Sequence, residues 1–148
     1  MRGRRRRALA GLLLAVLAGC GHRAAPAAPP EHQVRGEYAV HGAYPLRRSG
    51  SACDPRSVGY PDIHGGTPVV VRDASGAVLR SATLQGGTMR VTILAREDCV
   101  FRFSLSLPER DAYTVEVGNR GRVTFTGATL EQAHWRIDLA IGNYAPGI

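Results

Sequence analysis

The residues with the clearest capacity for chemistry sit in one loop, CDPRSVGYPDIHGGT, spanning 53–67. It gathers Asp54, Tyr60, Asp62 and His64, and Gly65 and Gly66 make it bendable. Asp62 and His64 are two positions apart. On an extended chain that spacing points both side chains the same way, as a shared cation site or an acid/base pair. The commoner fate of such residues is different: Asp62 caps neighbouring backbone amides and His64 stays in water. Asp54 and Asp73 could join Asp62 around calcium, but the alternating Asp spacing of a calcium loop is absent. A second loop, VGNRGRV, sets Arg120 and Arg122 around Gly121 at a turn, where arginines hold an anionic group or simply face solvent. No Gly-x-Ser-x-Gly elbow, His-Glu-x-x-His helix, Walker loop or dinucleotide glycine pattern occurs. The chain contains no lysine, which removes Schiff-base and P-loop chemistry. We therefore expect no enzyme and no cofactor.

Charge excludes another class. The net charge of +7 over 148 residues is suggestive of a nucleic-acid binder. However, Arg2, Arg4, Arg5, Arg6 and Arg7 all precede Cys20. Without those five, fourteen basic residues face twelve acidic ones, and the remainder is +2. No basic cluster is left to follow a phosphate backbone, so no nucleic-acid partner is expected.

The amino-terminal segment reads as an address. MRGRRRR is a positive n-region and ALAGLLLAVLAG an apolar run of 12 residues. As a helix that run spans about 18 Å, short of the roughly 30 Å bilayer core, and it has the proportions of a secretory signal. It ends in Leu17-Ala18-Gly19-Cys20, which resembles the lipobox of bacterial lipoproteins. The resemblance implies cleavage after Gly19, a diacylglyceryl thioether on Cys20 and a lipid-anchored protein on the outer face of the cell membrane. Sulfur is the nucleophile that takes the lipid, and two acyl chains anchor stably where one does not. Residues 1–19 are thus expected to be the signal peptide. Residues 20–36, Pro/Ala-rich and nearly free of large apolar groups, are expected to form a tether with His22 and His32 solvated.

From residue 37 to 148 the apolar pattern has period two. Tyr38 and Val40, then Tyr44 and Leu46, share a face, as do Val69 and Val71. Met89, Val91 and Ile93 align, and so do Phe101, Phe103, Leu105 and Leu107. Tyr113, Val115 and Val117 follow, then Val123 and Phe125, then Trp135, Ile137, Leu139 and Ile141. Such alternation belongs to strands with one buried and one wet face. Asp73–Gly76 and Gly118–Gly121 read as hairpin turns. Only GATLEQAHW reads as a helical turn, with Thr129 as its N-cap candidate. The expected fold is all-β: an antiparallel sandwich of seven or eight strands, immunoglobulin-like or transthyretin-like in outline. With Cys20 lipidated outside the cell, Cys53 and Cys99 form an even pair, read as a disulfide closing about 46 residues and stabilising by roughly 4 kcal/mol. The rival readings are two reduced thiols or a metal pair, which lacks further ligands.

GYPDIHGGTPVVVRDASG, CVFRFSLSLP and YTVEVGNRGRVTFT together are similar to a small extracellular domain of lipoproteins and membrane-anchored proteins of high-GC Gram-positive bacteria. The matching positions are Gly59, Tyr60, Asp62 and Ile63 in the loop, Cys53 and Cys99, and Tyr113, Val115, Val117, Arg120 and Gly121 at the second strand and turn. Pro61 stands where a flexible polar residue is expected and stiffens the loop. The resemblance implies a β fold and an extracellular address, and nothing catalytic. The function expected is a membrane-anchored, non-enzymatic binding or accessory module towards a protein or cell-envelope component. The runner-up is a small-ligand or metal site in the Tyr60–Gly66 loop using Asp62, His64 and Arg120, and a hydrolase using Asp62 and His64 comes third.

Overall fold

The longest apolar alternation in the chain builds the longest strand. In the computed structural model, which describes residues 28–42, 44, 48–93 and 96–143, strand β5 runs from Glu97 to Pro108. It buries Cys99, Phe101, Phe103, Leu105 and Leu107 and leaves Arg102 and Ser104 outside. Beside it lie β1 (Glu31–His41) and β4 (Thr88–Val91), and β8 (Arg136–Ile141) completes a sheet in the order β4-β5-β1-β8. The second sheet has the order β3-β2-β6-β7, from β2 (Pro68–Arg72), β3 (Val78–Thr83), β6 (Ala112–Val117) and β7 (Arg122–Thr126). The inner faces share one core that includes Val34, Tyr38, Val69, Phe101, Val115 and Ile137. The chain is an all-β sandwich, as its period-two pattern predicts.

Several expectations need correction. The first strand begins at Glu31, inside the stretch 20–36 read as tether. Its few apolar side chains hide it, yet Val34 is fully buried and all eleven residues pair with β5. His32 is not solvated but stacks on Trp135 at 3.7 Å between ring centroids. The sandwich is not purely antiparallel, because β1 and β8 run parallel over Arg35–Val40. Of Met89, Val91 and Ile93, only Met89 points inward; β4 ends at Val91, and Ile93 is fully exposed. Trp135 precedes its strand, and both it (φ 58°) and His134 (φ 52°) take the left-handed conformation. Backbone bonds from His134 N–H to the Glu131 carbonyl and from Trp135 N–H to the Leu130 carbonyl hold that costly turn. Helix α1 (Gly127–Gln132) is capped by Thr126, whose hydroxyl accepts from the Thr129 N–H at 3.1 Å; Thr129 is the third helical residue. Cys20 and Leu46 lie outside the described residues.

The Asp73–Gly76 turn joins β2 to β3. Asp73 Oδ1 accepts from the Ser75 and Ala77 amides at 2.9 and 3.0 Å, and Gly76 supplies φ 86°. At the next corner the Tyr113 hydroxyl donates to the Pro108 carbonyl at 3.0 Å and accepts from the Arg110 N–H at 2.8 Å. Tyrosine corners of immunoglobulin-type sandwiches tie a strand start to upstream backbone in the same manner.

The long connection from β1 to β2 is fixed to the sandwich at several points. Cys53 and Cys99 form a disulfide 46 positions apart in sequence, with Cα atoms 5.7 Å apart. Cys53 N–H donates to the Gly87 carbonyl, and Ser51 and Met89 exchange strand-like contact through the Met89 N–H at 2.7 Å. Ile63 plugs into the core with no exposed surface. Removing the bridge by a Cys53→Ser, Cys99→Ser double substitution is expected to cost about 4 kcal/mol of folding stability by the chain-entropy rule, read as a lower urea midpoint. An unchanged midpoint would show that the loop is held without it. On the neighbouring strand, a Cβ at Gly36 would fall 2.0 Å from the Phe103 ring opposite. Gly36→Ala is therefore expected to lower stability by about 1–3 kcal/mol in the same assay.

Candidate functional site

The loop that carries the expected site is shaped by local bonds. Asp54 N-caps a 3-10 turn, Pro55–Val58, and accepts from the Arg56 N–H at 3.0 Å, while Gly59 closes the turn at φ 91°. Its carboxylate also holds the Arg56 guanidinium, so Asp54 does not join Asp62. Further on, the buried Thr67 hydroxyl donates to the Asp62 carbonyl at 2.9 Å and accepts from the His64 N–H at 3.0 Å. That staple fixes the loop backbone and leaves the side chains of Asp62 and His64 outward.

Asp62 and His64 nevertheless do not form a pair. The His64 Nδ1 bonds the Gly65 carbonyl at 2.8 Å. The Asp62 carboxylate takes Arg120 from the β6–β7 hairpin, with Nε donating to Oδ2 at 2.8 Å and a second bond to Oδ1. The Arg120 guanidinium also lies over the Tyr60 ring, 4.9 Å from its centroid. Three of the four expected loop residues, Tyr60, Asp62 and Arg120, therefore meet, and His64 stands apart. The bond from Arg120 holds the Asp62 carboxyl below an ordinary aspartate, against a smaller opposing effect of burial. The same bond raises Arg120. Beneath this latch a small groove of about 120 Å³ is lined by Tyr38, Val123, Leu139 and Ile141. Among the described residues no group of three or more His, Cys, Asp or Glu side chains gathers to hold a metal.

A larger constellation lies on the outer face of the β4-β5-β1-β8 sheet. Register sets Arg102, Glu37 and Asp138 side by side on β5, β1 and β8, and sets Ser104, Arg35 and Arg136 in the next row. Glu37 receives three arginines: Arg90 at 2.8 Å, Arg102 at 3.2 Å and Arg136 at 3.6 Å. Partial burial pushes the Glu37 carboxyl up, but the arginines outweigh it and hold it low. Arg90 also reaches Asp98, which is 3% exposed and bonded to His41 Nδ1 at 2.7 Å. Arg136 binds Asp138 as well. Arg35 makes no ion pair among the described residues. Arg35, Arg102 and Arg136 line a groove of about 630 Å³ with Gln33, Gln85 and Trp135. The sequence shows Arg102, Arg136 and Asp138 as outward-facing, but their convergence depends on strand order, which spacing alone does not give.

No protein-family model, curated protein or solved structure matches the chain.

The latch makes a pH prediction. The folded pKa of Asp62 is depressed, so its contribution is present above the unfolded value and is lost as pH falls through the lower folded value. The pair lies at the surface, so Arg120→Gln is expected to leave folding stability little changed. In a carboxyl-detected NMR titration, the Asp62 midpoint is expected to rise in Arg120→Gln towards an ordinary aspartate. An unmoved midpoint would mean that Arg120 does not hold the carboxylate in solution.

Proposed function

We propose that the chain is a lipid-anchored, non-enzymatic binding or accessory module of the bacterial cell envelope, held on the outer face of the membrane through Cys20. The observation that carries the reading is the cysteine arithmetic. The chain has three cysteines, and two of them, Cys53 and Cys99, are bonded to each other. A disulfide of this kind belongs to an oxidising compartment. The remaining thiol stands at the end of Leu-Ala-Gly-Cys, behind a basic and then an apolar segment. No helix among the described residues is long and apolar enough to cross a membrane, so anchoring in this reading falls to the acyl chains.

The way the chemical groups are used supports an accessory role. Asp62 is engaged by Arg120, and His64 by the Gly65 carbonyl. These contacts give little support to a metal or hydrolytic role for the Tyr60–Gly66 loop, because a cation or substrate there has to displace the arginine. A surface that suits recognition is the arginine-lined groove on the outer sheet face.

Expression of the full chain in an exporting bacterial host tests the anchor. The mature protein is expected to begin at Cys20, to carry a diacylglyceryl mass on that residue and to partition into the detergent phase. A Cys20→Ala variant is expected to lack the lipid mass and to leave the membrane fraction. A wild-type chain that keeps Met1, or carries an unmodified Cys20, would overturn the reading.

A further inference from the structure

We infer that the outer face of the β4-β5-β1-β8 sheet is a docking surface for an anionic phospholipid headgroup of the membrane that holds the anchor; this rests on the lipid-anchor reading above. Three features of the face point to that occupant.

The first is charge. Arg35, Arg90, Arg102 and Arg136 face Glu37, Asp98 and Asp138, and Glu37 is shared by three of the arginines. The groove lining itself carries Arg35, Arg102 and Arg136 against one carboxylate, Glu37, and Arg136 is also bonded to Asp138. Arg35 has no ion-pair partner among the described residues. An arginine fork beside Gln33 and Ser104 suits the oxygens of a phosphate diester. The groove, about 630 Å³, is large enough to take a headgroup.

The second is Trp135. It lines the same groove, partly buried, at the His134–Trp135 turn, with the ring stacked on His32 and edge-on to Tyr113. A partly exposed indole held in this way beside the arginines favours the boundary between headgroups and water.

The third is reach. Ten residues separate Cys20 from Glu31. Fully extended, eleven steps span at most roughly 40 Å. The twelve residues of β5 alone span about as much. The domain therefore cannot leave the bilayer by more than about its own length. That confinement raises the effective concentration of headgroups at the face, so a few arginines suffice where a free protein would need more.

Trp135 is the only tryptophan in the chain, so it reports directly. The full lipidated chain is reconstituted into vesicles of phosphatidylcholine, with or without phosphatidylglycerol, and Trp135 quenching by lipids brominated near the headgroup is measured. Co-flotation with phosphatidylcholine vesicles reads the anchor separately. The expected result is flotation with both compositions, and strong quenching only with phosphatidylglycerol, abolished by high salt. An Arg35→Gln, Arg102→Gln double variant is expected to float normally and to shift the docked-to-undocked ratio down roughly thirtyfold. Arg35→Gln alone breaks no ion pair seen in the fold, so its expected loss of about fivefold is free of any folding defect. Equal quenching in both compositions, or an unchanged double variant, overturns the docking surface and leaves the anchor standing. Failure to float with phosphatidylcholine overturns the anchor. Soluble polyglutamate shifting Trp135 emission in phosphatidylcholine vesicles as much as phosphatidylglycerol does would make the occupant an acidic chain, and the lipid proposal falls.

Discussion

Everything in the first sheet depends on the register of β1. Its eleven residues pair antiparallel with β5, and six of them pair parallel with β8 on the other side. Without β1, the order β4-β5-β1-β8 falls back to a two-stranded piece and a stray strand. The register is enforced from both faces. Inward, Val34, Tyr38 and Val40 enter the core, and Gly36 makes room for the Phe103 ring. Outward, Glu37 stands among Arg90, Arg102 and Arg136. A slip of one residue would bury that carboxylate and expose Tyr38, so packing and charge exclude the same error.

A second constraint holds the loops. The connection between β1 and β2 is long, and long connections without secondary structure need ties. Here the ties differ in chemistry and sit in succession: the Cys53–Cys99 bridge, the Pro55–Val58 turn, the Ile63 plug and the Thr67 hydroxyl. The Arg120–Asp62 contact then joins this loop to the β6–β7 hairpin of the second sheet. The result is a rigid edge whose polar groups are mostly engaged, whereas the broad sheet face keeps an arginine available.

What the sequence revealed follows the strength of its periodicity. β5 and β6 alternate cleanly, and their inward residues are those that Phe101, Phe103, Tyr113 and Val115 predict. Tyr38 and Val40 showed the second part of β1, but its start at Glu31 was obscured because Val34 is the only apolar side chain among Glu31–Glu37. Ile93 misled for the opposite reason, since it continues the pattern of Met89 after the strand has ended. The disulfide followed from compartment and parity. In the loop, Tyr60, Asp62 and Arg120 are all visible as residues, but spacing suggested His64 as the partner of Asp62. The true partner is 58 positions away, on the hairpin that follows β6, the strand paired with β2. The Glu37 cluster escaped for the same reason: it draws one member from each of four strands.

The parallel pairing of the first strand with the last has a kinetic meaning. Arg35 sits beside Arg136, its partner 101 positions further along the chain. Contacts so distant in sequence form late, since closing a long loop is costly in entropy. The first sheet thus cannot complete itself until β8 has been made and is free to pair with β1. A topology of this kind leaves one edge of β1 open while the intervening strands form, and closes it only when β8 arrives.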